Sequence, residues 1–235
     1  MALDVVAAAA LLTDAGLDSA NVVRTLLVSG ASSGLAIETL VRSVLESAAQ
    51  VWWLLEPGIG GRARMARLYV LRRQSACALQ GTAAKLQVQL GSGYGQTVDD
   101  MVALYERELG LRPDHSHKGV WVGCEGQRKT GYTDRVARFM GDIGHAEDKG
   151  PYAFICGASH MEFWRLSYGY EEIENPDGSR EWMPRTPRDF LRLALSVTTD
   201  ALVYPAARAF DLLGRQAALR ELVGLLPGAR RALTD

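Results

Sequence analysis

The feature that most limits the possible folds is a long proline-free run near the start of the chain. Residues 19–56 contain no proline and repeat apolar side chains at spacings of three and four residues, the period of an amphipathic helix. The dipeptide Asp18-Ser19 favours a helix start, and Pro57-Gly58 is a stop signal. Gly30 and Gly34 each cost a helix about 1 kcal/mol relative to alanine. The run therefore predicts either one long helix or two helices that separate at these glycines.

Most of the remaining chain also has a helical period. Further helices are predicted at about residues 61–90, 97–108, 133–143, 152–170, 186–204 and 215–225. Pro205 is expected to kink or end the helix that starts near residue 186, because proline removes a backbone hydrogen bond. Residues 227–231 have the composition of a frayed tail.

Two segments depart from the helical pattern. Residues 112–130 are polar, with one short strand-like run at 120–122, and predict an ordered loop of the length often associated with function. The turn sequence at 176–178 predicts a small β-hairpin at about residues 171–184. The expected fold is all-α: a single helical domain over residues 1–235, built as a bundle of long antiparallel helices.

Charge and hydropathy exclude several partners and locations. The 26 basic residues, 22 of them arginine, against 27 acidic ones leave a net charge of -1. Nucleic acid is not the expected partner, because phosphate binding requires a surplus of positive charge on one face. Uninterrupted apolar stretches stay below the roughly 18 residues that span a bilayer, and the N-terminus lacks the basic start of a signal peptide. The expected location is the cytoplasm, without a membrane partner.

The cysteines and histidines give little indication of a metal or a disulfide. Cys77, Cys124 and Cys156 are odd in number and widely spaced, which argues against a disulfide framework or a closed zinc site. Cys77 is expected to be a small core residue. The segments 114–117 and 142–145 have metal-compatible spacing, but polar groups in loops are usually solvated. The chain also has no phosphate-binding loop, so neither a metal nor a cofactor is expected.

Arg42 and Glu46 lie one turn apart in the first long run, among neighbours that are apolar on nearly every side. A helix that is apolar all round lies at the centre of a bundle. The pair is therefore expected inside the protein, where charges must be paired and hydrogen-bonded. It is either a structural ion pair or part of a pocket, since buried ionisable groups also mark functional sites.

His160 falls on the helix predicted at residues 152–170, among apolar and aromatic neighbours. A histidine on an apolar face is either a satisfied core residue or, if it lines a cavity with Glu46, an acid/base group. Several aromatic side chains allow the same two interpretations, a packed core or the wall of a pocket for an organic ligand. They are Trp52, Trp53, Tyr69, Tyr152 and Trp164.

The segment from Arg42 to the Trp52-Trp53-Leu-Leu run, followed by Arg64 and Arg67, resembles an uncharacterised group of all-helical actinobacterial proteins. These proteins share an Arg…Glu-x-Ala-Ala…Trp-Trp-Leu-Leu stretch and a later Ser-Gly-x-Ala-His segment. Residues 156–160 correspond to the second segment, with a cysteine in place of the serine. The resemblance implies a helical bundle in which Arg42, Glu46, Arg64, Arg67 and His160 converge, and it implies no reaction.

The chain is more remotely similar to HEPN-type helical proteins. Some of these are metal-independent ribonucleases that use an arginine followed four to six residues later by a histidine. Arg112 with His117 and Arg138 with His145 match that spacing, although arginine is frequent enough here to produce such matches by chance. The resemblance implies a dimeric ribonuclease or toxin component.

Three functions are therefore weighed. The preferred one is a protein that binds or transforms a small organic molecule in a cavity between central helices, with Glu46 and His160 as acid/base groups. Arginine would anchor an anionic group of the ligand, and whether the protein is an enzyme stays open. The expected ligand-binding residues are Arg42, Arg64, Arg67, Trp53, Tyr69, Tyr152 and Trp164. The alternatives are a HEPN-like ribonuclease and a non-catalytic interaction protein that uses the 171–184 hairpin or the 112–130 loop, and a homodimer is left open.

Overall fold

A computed structural model describes most of the chain and confirms that it is all-α. The described residues are 2–29, 34–86, 100, 102–145, 152, 155, 170–184 and 187–234. Within them the helices are α1 (Ala2–Val28), α2 (Gly34–Leu54), α3 (Gly61–Leu86), α4 (102–108), α5 (Tyr132–Asp142), α6 (Arg188–Leu212) and α7 (Gln216–Thr234).

The described strands form two small antiparallel sheets. The first has the order β1 (Pro113–His115), β2 (Trp121–Cys124) and β3 (Gln127–Arg128); the second is the hairpin of β4 (Tyr170–Glu174) and β5 (Arg180–Pro184). The hairpin confirms the prediction at 171–184. Residues 112–130 are ordered, but they form a sheet rather than a loop. Their strands are two to four residues long, too short for an alternating apolar pattern to be visible in the sequence.

Glycine allows the tight turn and the close packing of this first sheet. A Cβ on Gly123 in β2 would lie 2.4 Å from the backbone oxygen of Gln127, so a larger residue would collide with the facing strand. Glu125 and Gly126 form the turn that follows, with φ angles of 51° and 76°. Glycine adopts such left-handed angles at no steric cost, while Glu125 is one of the few larger residues to do so.

The helix boundaries decide between the two alternatives left open for the N-terminal run and correct two other expectations. The long N-terminal run contains two helices rather than one, since α1 ends at Val28 and α2 begins at Gly34; however, α1 starts at Ala2, well before the predicted cap. Pro205 lies inside α6 with its side chain buried, so it does not end the helix, and the alternative of a kink stays a prediction. Helix α7 continues through Pro227 to Thr234, where a frayed tail was expected. At Pro205 the burial of the side chain compensates for the poor local preference of proline, as tertiary contacts commonly do, whereas Pro227 is exposed. The helix predicted at 152–170 lies largely outside the described residues.

The chain divides into two compact units. Unit 1 comprises Met1–Ala8 and Glu56–Gly131, and unit 2 comprises Ala9–Leu55 and Tyr132–Asp235. The single domain over residues 1–235 stays a prediction. In unit 1, helix α3 packs against strands β2 and β3.

Helix α2 lies at the centre of unit 2. It packs against α5 on one side and α6 on another, and α6 in turn packs against α7. Its buried residues include Val41, Val44, Leu45 and Ala48, which join Phe139 of α5 in one hydrophobic cluster. This position confirms the central helix that the apolar surroundings of Arg42 and Glu46 predicted.

One described helix, Leu3–Val28, is long and apolar enough to cross a membrane by length and composition. Its mean hydropathy is 1.2, and 17% of the qualifying window is buried inside the protein. A core helix of a soluble protein and a signal sequence can have the same length and composition.

We expect Phe139→Ala to destabilise unit 2 severely. The Phe139 side chain is fully buried and meets the Trp52 ring edge-on at 5.6 Å between ring centroids. Its removal leaves a cavity, and such truncations cost about 3 to 5 kcal/mol. Urea unfolding followed by circular dichroism measures the loss. The matched control is Leu11→Ala, which truncates a side chain that is 71% exposed and should change stability by less than about 0.5 kcal/mol. Equal effects of the two substitutions would contradict this core assignment.

Candidate acid/base site around Glu46

Glu46 forms a short ion pair with Arg42 on the surface of α2. The Nε atom of Arg42 donates a hydrogen bond of 2.7 Å to Oε1 of Glu46. The two side chains are 26% and 21% exposed. The pair is therefore only partly buried, whereas the apolar neighbourhood had suggested a fully enclosed position.

Tyr152 joins this pair and completes a three-residue cluster, which we call the Glu46 site. The buried Tyr152 hydroxyl donates a hydrogen bond of 2.5 Å to the same oxygen, Oε1 of Glu46. Among the described residues, none bonds to the other oxygen, Oε2. Glu46 is therefore a carboxylate held by two donors at one of its two oxygens.

Trp53 lies about two turns after Glu46 on α2 and packs against a cation. The guanidinium of Arg135 in α5 lies over the Trp53 ring, 4.7 Å from its centroid. Both side chains are buried, and burial lowers the pKa of Arg135 to about 10. The contact is a desolvated cation–π pair, which stabilises by about 2 kcal/mol or more. Trp53 therefore links α2 to α5.

Arg64 and Arg67 lie in unit 1, at the start of α3. Arg67 pairs with Glu56, with 2.5 Å between Nη1 of Arg67 and Oε2 of Glu56, and its Nε donates to the side-chain oxygen of Gln127 at 2.7 Å. Arg64 donates to the backbone oxygen of Glu56 at 3.0 Å. Both arginines connect α3 to its neighbouring segments. Their role as anion-binding groups stays a prediction.

Tyr69 is fully buried in the same unit and belongs to a charged network. Its hydroxyl donates to Oε1 of Glu106 at 2.7 Å and accepts a hydrogen bond from Arg73. Burial, followed by the bond to Glu106, raises the pKa of Tyr69 above its ordinary value. Arg73 also lies 4.8 Å from the centroid of the Trp121 ring. Tyr69 thus joins α3 to α4, and its assignment to a ligand site is untested.

Two residues of the sequence hypothesis lie outside the described residues. They are His160, the second acid/base residue, and Trp164, one of the aromatic residues expected to line the pocket. Their assignments stay predictions. Of the nine candidate site residues, the structure brings Arg42, Glu46 and Tyr152 together.

A second pair of titratable groups in unit 2 was not assigned from the sequence. The Nε2 atom of His145 lies 2.8 Å from Oδ2 of Asp200, which is almost completely buried in α6. Nearby on α5, Asp142 accepts a hydrogen bond of 2.7 Å from the indole nitrogen of Trp52. His145 and Asp142 had been considered for a metal site, and His145 for a ribonuclease motif. The sequence does contain a pattern that indicates Asp200. It is a lone acid within an apolar helical segment, the same pattern that made Glu46 a candidate.

The described residues include no group of three or more His, Cys, Asp and Glu side chains placed to hold a metal ion. An apolar recess lies between α1, α2 and α6, with a free volume of about 10 Å³, which holds about one water molecule. Its lining includes Leu12, Val44, Ala201 and Pro205. The recess is too small for an organic ligand and does not include the Glu46 site.

Comparison of the chain with protein-family models, with curated proteins and with solved structures gave no match. The resemblance to the actinobacterial group and to HEPN-type proteins stays a prediction.

We expect Tyr152→Phe to lower the free energy of unfolding by about 1 to 2 kcal/mol. The substitution removes one donor to a charged acceptor, and such bonds contribute about 1.5 to 3 kcal/mol when buried; the partial exposure of Glu46 reduces this value. Urea titration measures the difference. The control is Tyr170→Phe in the exposed hairpin, where no described residue bonds to the hydroxyl. A loss of the same size in both variants would show that the Glu46 bond contributes nothing.

The two cysteines of unit 1 differ in burial, which predicts a difference in their reactivity. Cys124 is buried in β2, and burial, followed by the charges of Glu125 and Asp114, raises its pKa to about 12. Cys77 on α3 is exposed, which corrects its prediction as a core residue. Since the thiolate is the reactive form, native Cys77 should react with iodoacetamide at least about a hundredfold faster than Cys124. Mass spectrometry of the labelled peptides gives both rates. The difference should vanish in guanidinium chloride, and comparable native rates would contradict the burial of Cys124.

Proposed function

We propose that the protein binds a small organic molecule at the Glu46 site and that Glu46 acts there as a proton acceptor. The supporting observation is the one-sided bonding of its carboxylate, in which Oε1 accepts from Arg42 and Tyr152 while Oε2 has no bond among the described residues. A ligand amine or hydroxyl can donate to Oε2 without displacing a protein partner.

The fixed orientation of Glu46 supports an acid/base role over a purely structural one. A catalytic base must be held within hydrogen-bonding reach of the proton that it removes, and the two donors on Oε1 restrict rotation of the carboxylate. A side chain that is 21% exposed is also accessible to a ligand. In this proposal Arg42 and Tyr152 position the base, and Arg42 no longer serves as the anchor for an anionic group. His160 remains the proposed second acid/base residue.

We also propose that the protein acts in the cytoplasm as a water-soluble chain. Helix α1 meets the length and composition of a membrane span, but it carries Asp14 and Asp18 near its middle. An aspartate at the centre of a membrane-spanning helix costs roughly 2.5 to 3.5 kcal/mol. In addition, Val5, Ala9 and Val23 of α1 are buried along one side of the helix.

The test measures ligand binding with defined probes. A panel of small amines, alcohols and carboxylic acids is screened against the full chain by saturation-transfer NMR, and the compounds that bind are then measured by calorimetry. We expect amines and alcohols to bind, and Glu46→Gln to weaken them at least about tenfold, since the acceptor charge is lost. Tyr152→Phe should weaken them less, because it loosens the carboxylate without removing it.

The control is Glu108→Gln, which changes a carboxylate that is 56% exposed in unit 1 and should leave binding unchanged. Circular dichroism and thermal melting confirm that each variant is folded. A panel without any binding compound, or compounds that bind Glu46→Gln as tightly as the unchanged chain, would overturn the proposal.

A further inference from the structure

The β4–β5 hairpin of unit 2 presents apolar side chains to solvent on both of its faces. Trp182 is 62% exposed, and Tyr170, Ile173 and Met183 are also exposed. The strand register places Trp182 opposite Glu172 on one face and Met183 opposite Glu171 on the other. An isolated two-stranded hairpin is at best marginally stable in water, and clustered exposed apolar residues mark interaction surfaces. The hairpin therefore has the features of a docking element.

The hairpin is also strongly acidic. Residues 170–184 contain five acidic side chains and one basic one, for a net charge of -4. Arg180 pairs with Glu172 at 3.6 Å, and both groups are largely exposed. Glu174 and Glu181 form no ion pair with any described residue. This charge repels phosphates, anionic lipid and a second hairpin of the same kind, so the partner surface must be basic.

The C-terminal part of unit 2 has the complementary surface. Helix α7 and the turn before it contain four arginines and one glutamate over residues 215–231, for a net charge of +3. Exposed apolar side chains accompany them, with Leu213 at 51% exposure and Leu225 at 65%, together with Leu212 and Val223. The exposed Arg215 and Arg220 have no ion-pair partner among the described residues. We call this surface the α7 patch.

We propose that the hairpin of one molecule docks on the α7 patch of a second copy of this chain. Both surfaces are exposed in the single chain, so its own hairpin does not cover its own patch. Opposite charges align the two surfaces, and the exposed apolar side chains of each supply the buried contact. Charge complementarity thus selects the second copy, since the chain carries both halves of the interface.

In a dimer with two-fold symmetry, the contact between hairpin and α7 patch forms twice. The hairpin of each protomer contacts the patch of its partner, which closes the assembly as a dimer. Two reciprocal contacts help to reach the roughly 800 Å² per partner that stable interfaces bury. Trp182 is the expected central anchor, because tryptophan is enriched among the residues that dominate interface energetics.

Sedimentation velocity of the full chain at increasing concentration tests this proposal. We expect a dimer at low salt that weakens at least tenfold near 1 M NaCl, where the Debye length is about 3 Å. Two charge-reversed variants separate the halves. Glu171→Arg with Glu174→Arg and Glu181→Arg gives the hairpin a net charge of +2, and Arg215→Glu with Arg220→Glu gives the patch a net charge of -1. Each variant alone should be monomeric, because its two surfaces now carry the same sign of charge.

Mixing the two variants provides the decisive measurement. In the mixed dimer, the reversed hairpin of one chain meets the reversed patch of the other, and the two unchanged surfaces also meet. The mixture should therefore dimerise although neither component does. A reversal of exposed side chains leaves the fold intact, which circular dichroism verifies. A monomeric unchanged chain, a dimer that the reversals do not affect, or a mixture that stays monomeric would each overturn the proposal. All three outcomes are independent of ligand binding at Glu46.

Discussion

The constraint on which the rest of unit 2 depends is the burial of α2 between two other helices. The buried polar groups of a central helix need partners, because an unpaired buried donor or acceptor costs more than a hydrogen bond contributes. Trp52 shows how α2 meets this requirement. Its indole nitrogen donates to Asp142 on α5, its backbone oxygen accepts from Arg208 on α6, and its ring packs against Phe139. One residue of α2 thereby contacts both α5 and α6.

The Glu46 site follows from the same constraint at the less buried side of α2. A carboxylate on a central helix needs donors, and here it obtains them from its own helix through Arg42 and from Tyr152, more than a hundred residues away in the sequence. Both donors approach Oε1. They restrict the orientation of the carboxylate, and Oε2 has no bond to any described residue. The structural and the functional interpretation of the pair therefore agree on the geometry and differ only in what meets Oε2.

The sequence predicted much of the fold where local preferences and tertiary packing agree. The turn sequence at 176–178 predicted the hairpin, and the glycines near residue 30 indicated the break between α1 and α2 as one of two alternatives. Prediction failed where local patterns are weak: α7 continues through Pro227, and residues 113–128 form a sheet although their strands are too short to show a period. At the site, spacing along one helix was enough to pair Arg42 with Glu46. The pairing of His145 with Asp200 joins the segment after α5 to α6, and no spacing within either segment indicates it.

The sequence by itself determined the fold class, the central position of α2 and the pairing of Arg42 with Glu46, because helical periodicity and i to i+4 neighbours are local properties of the chain. Only the tertiary structure decided that Tyr152 completes this pair, that Trp53 packs under Arg135, and that Arg67 and Tyr69 bond to residues of their own unit. These contacts join segments far apart in the sequence, and their geometry depends on how whole helices pack, which a local pattern does not specify.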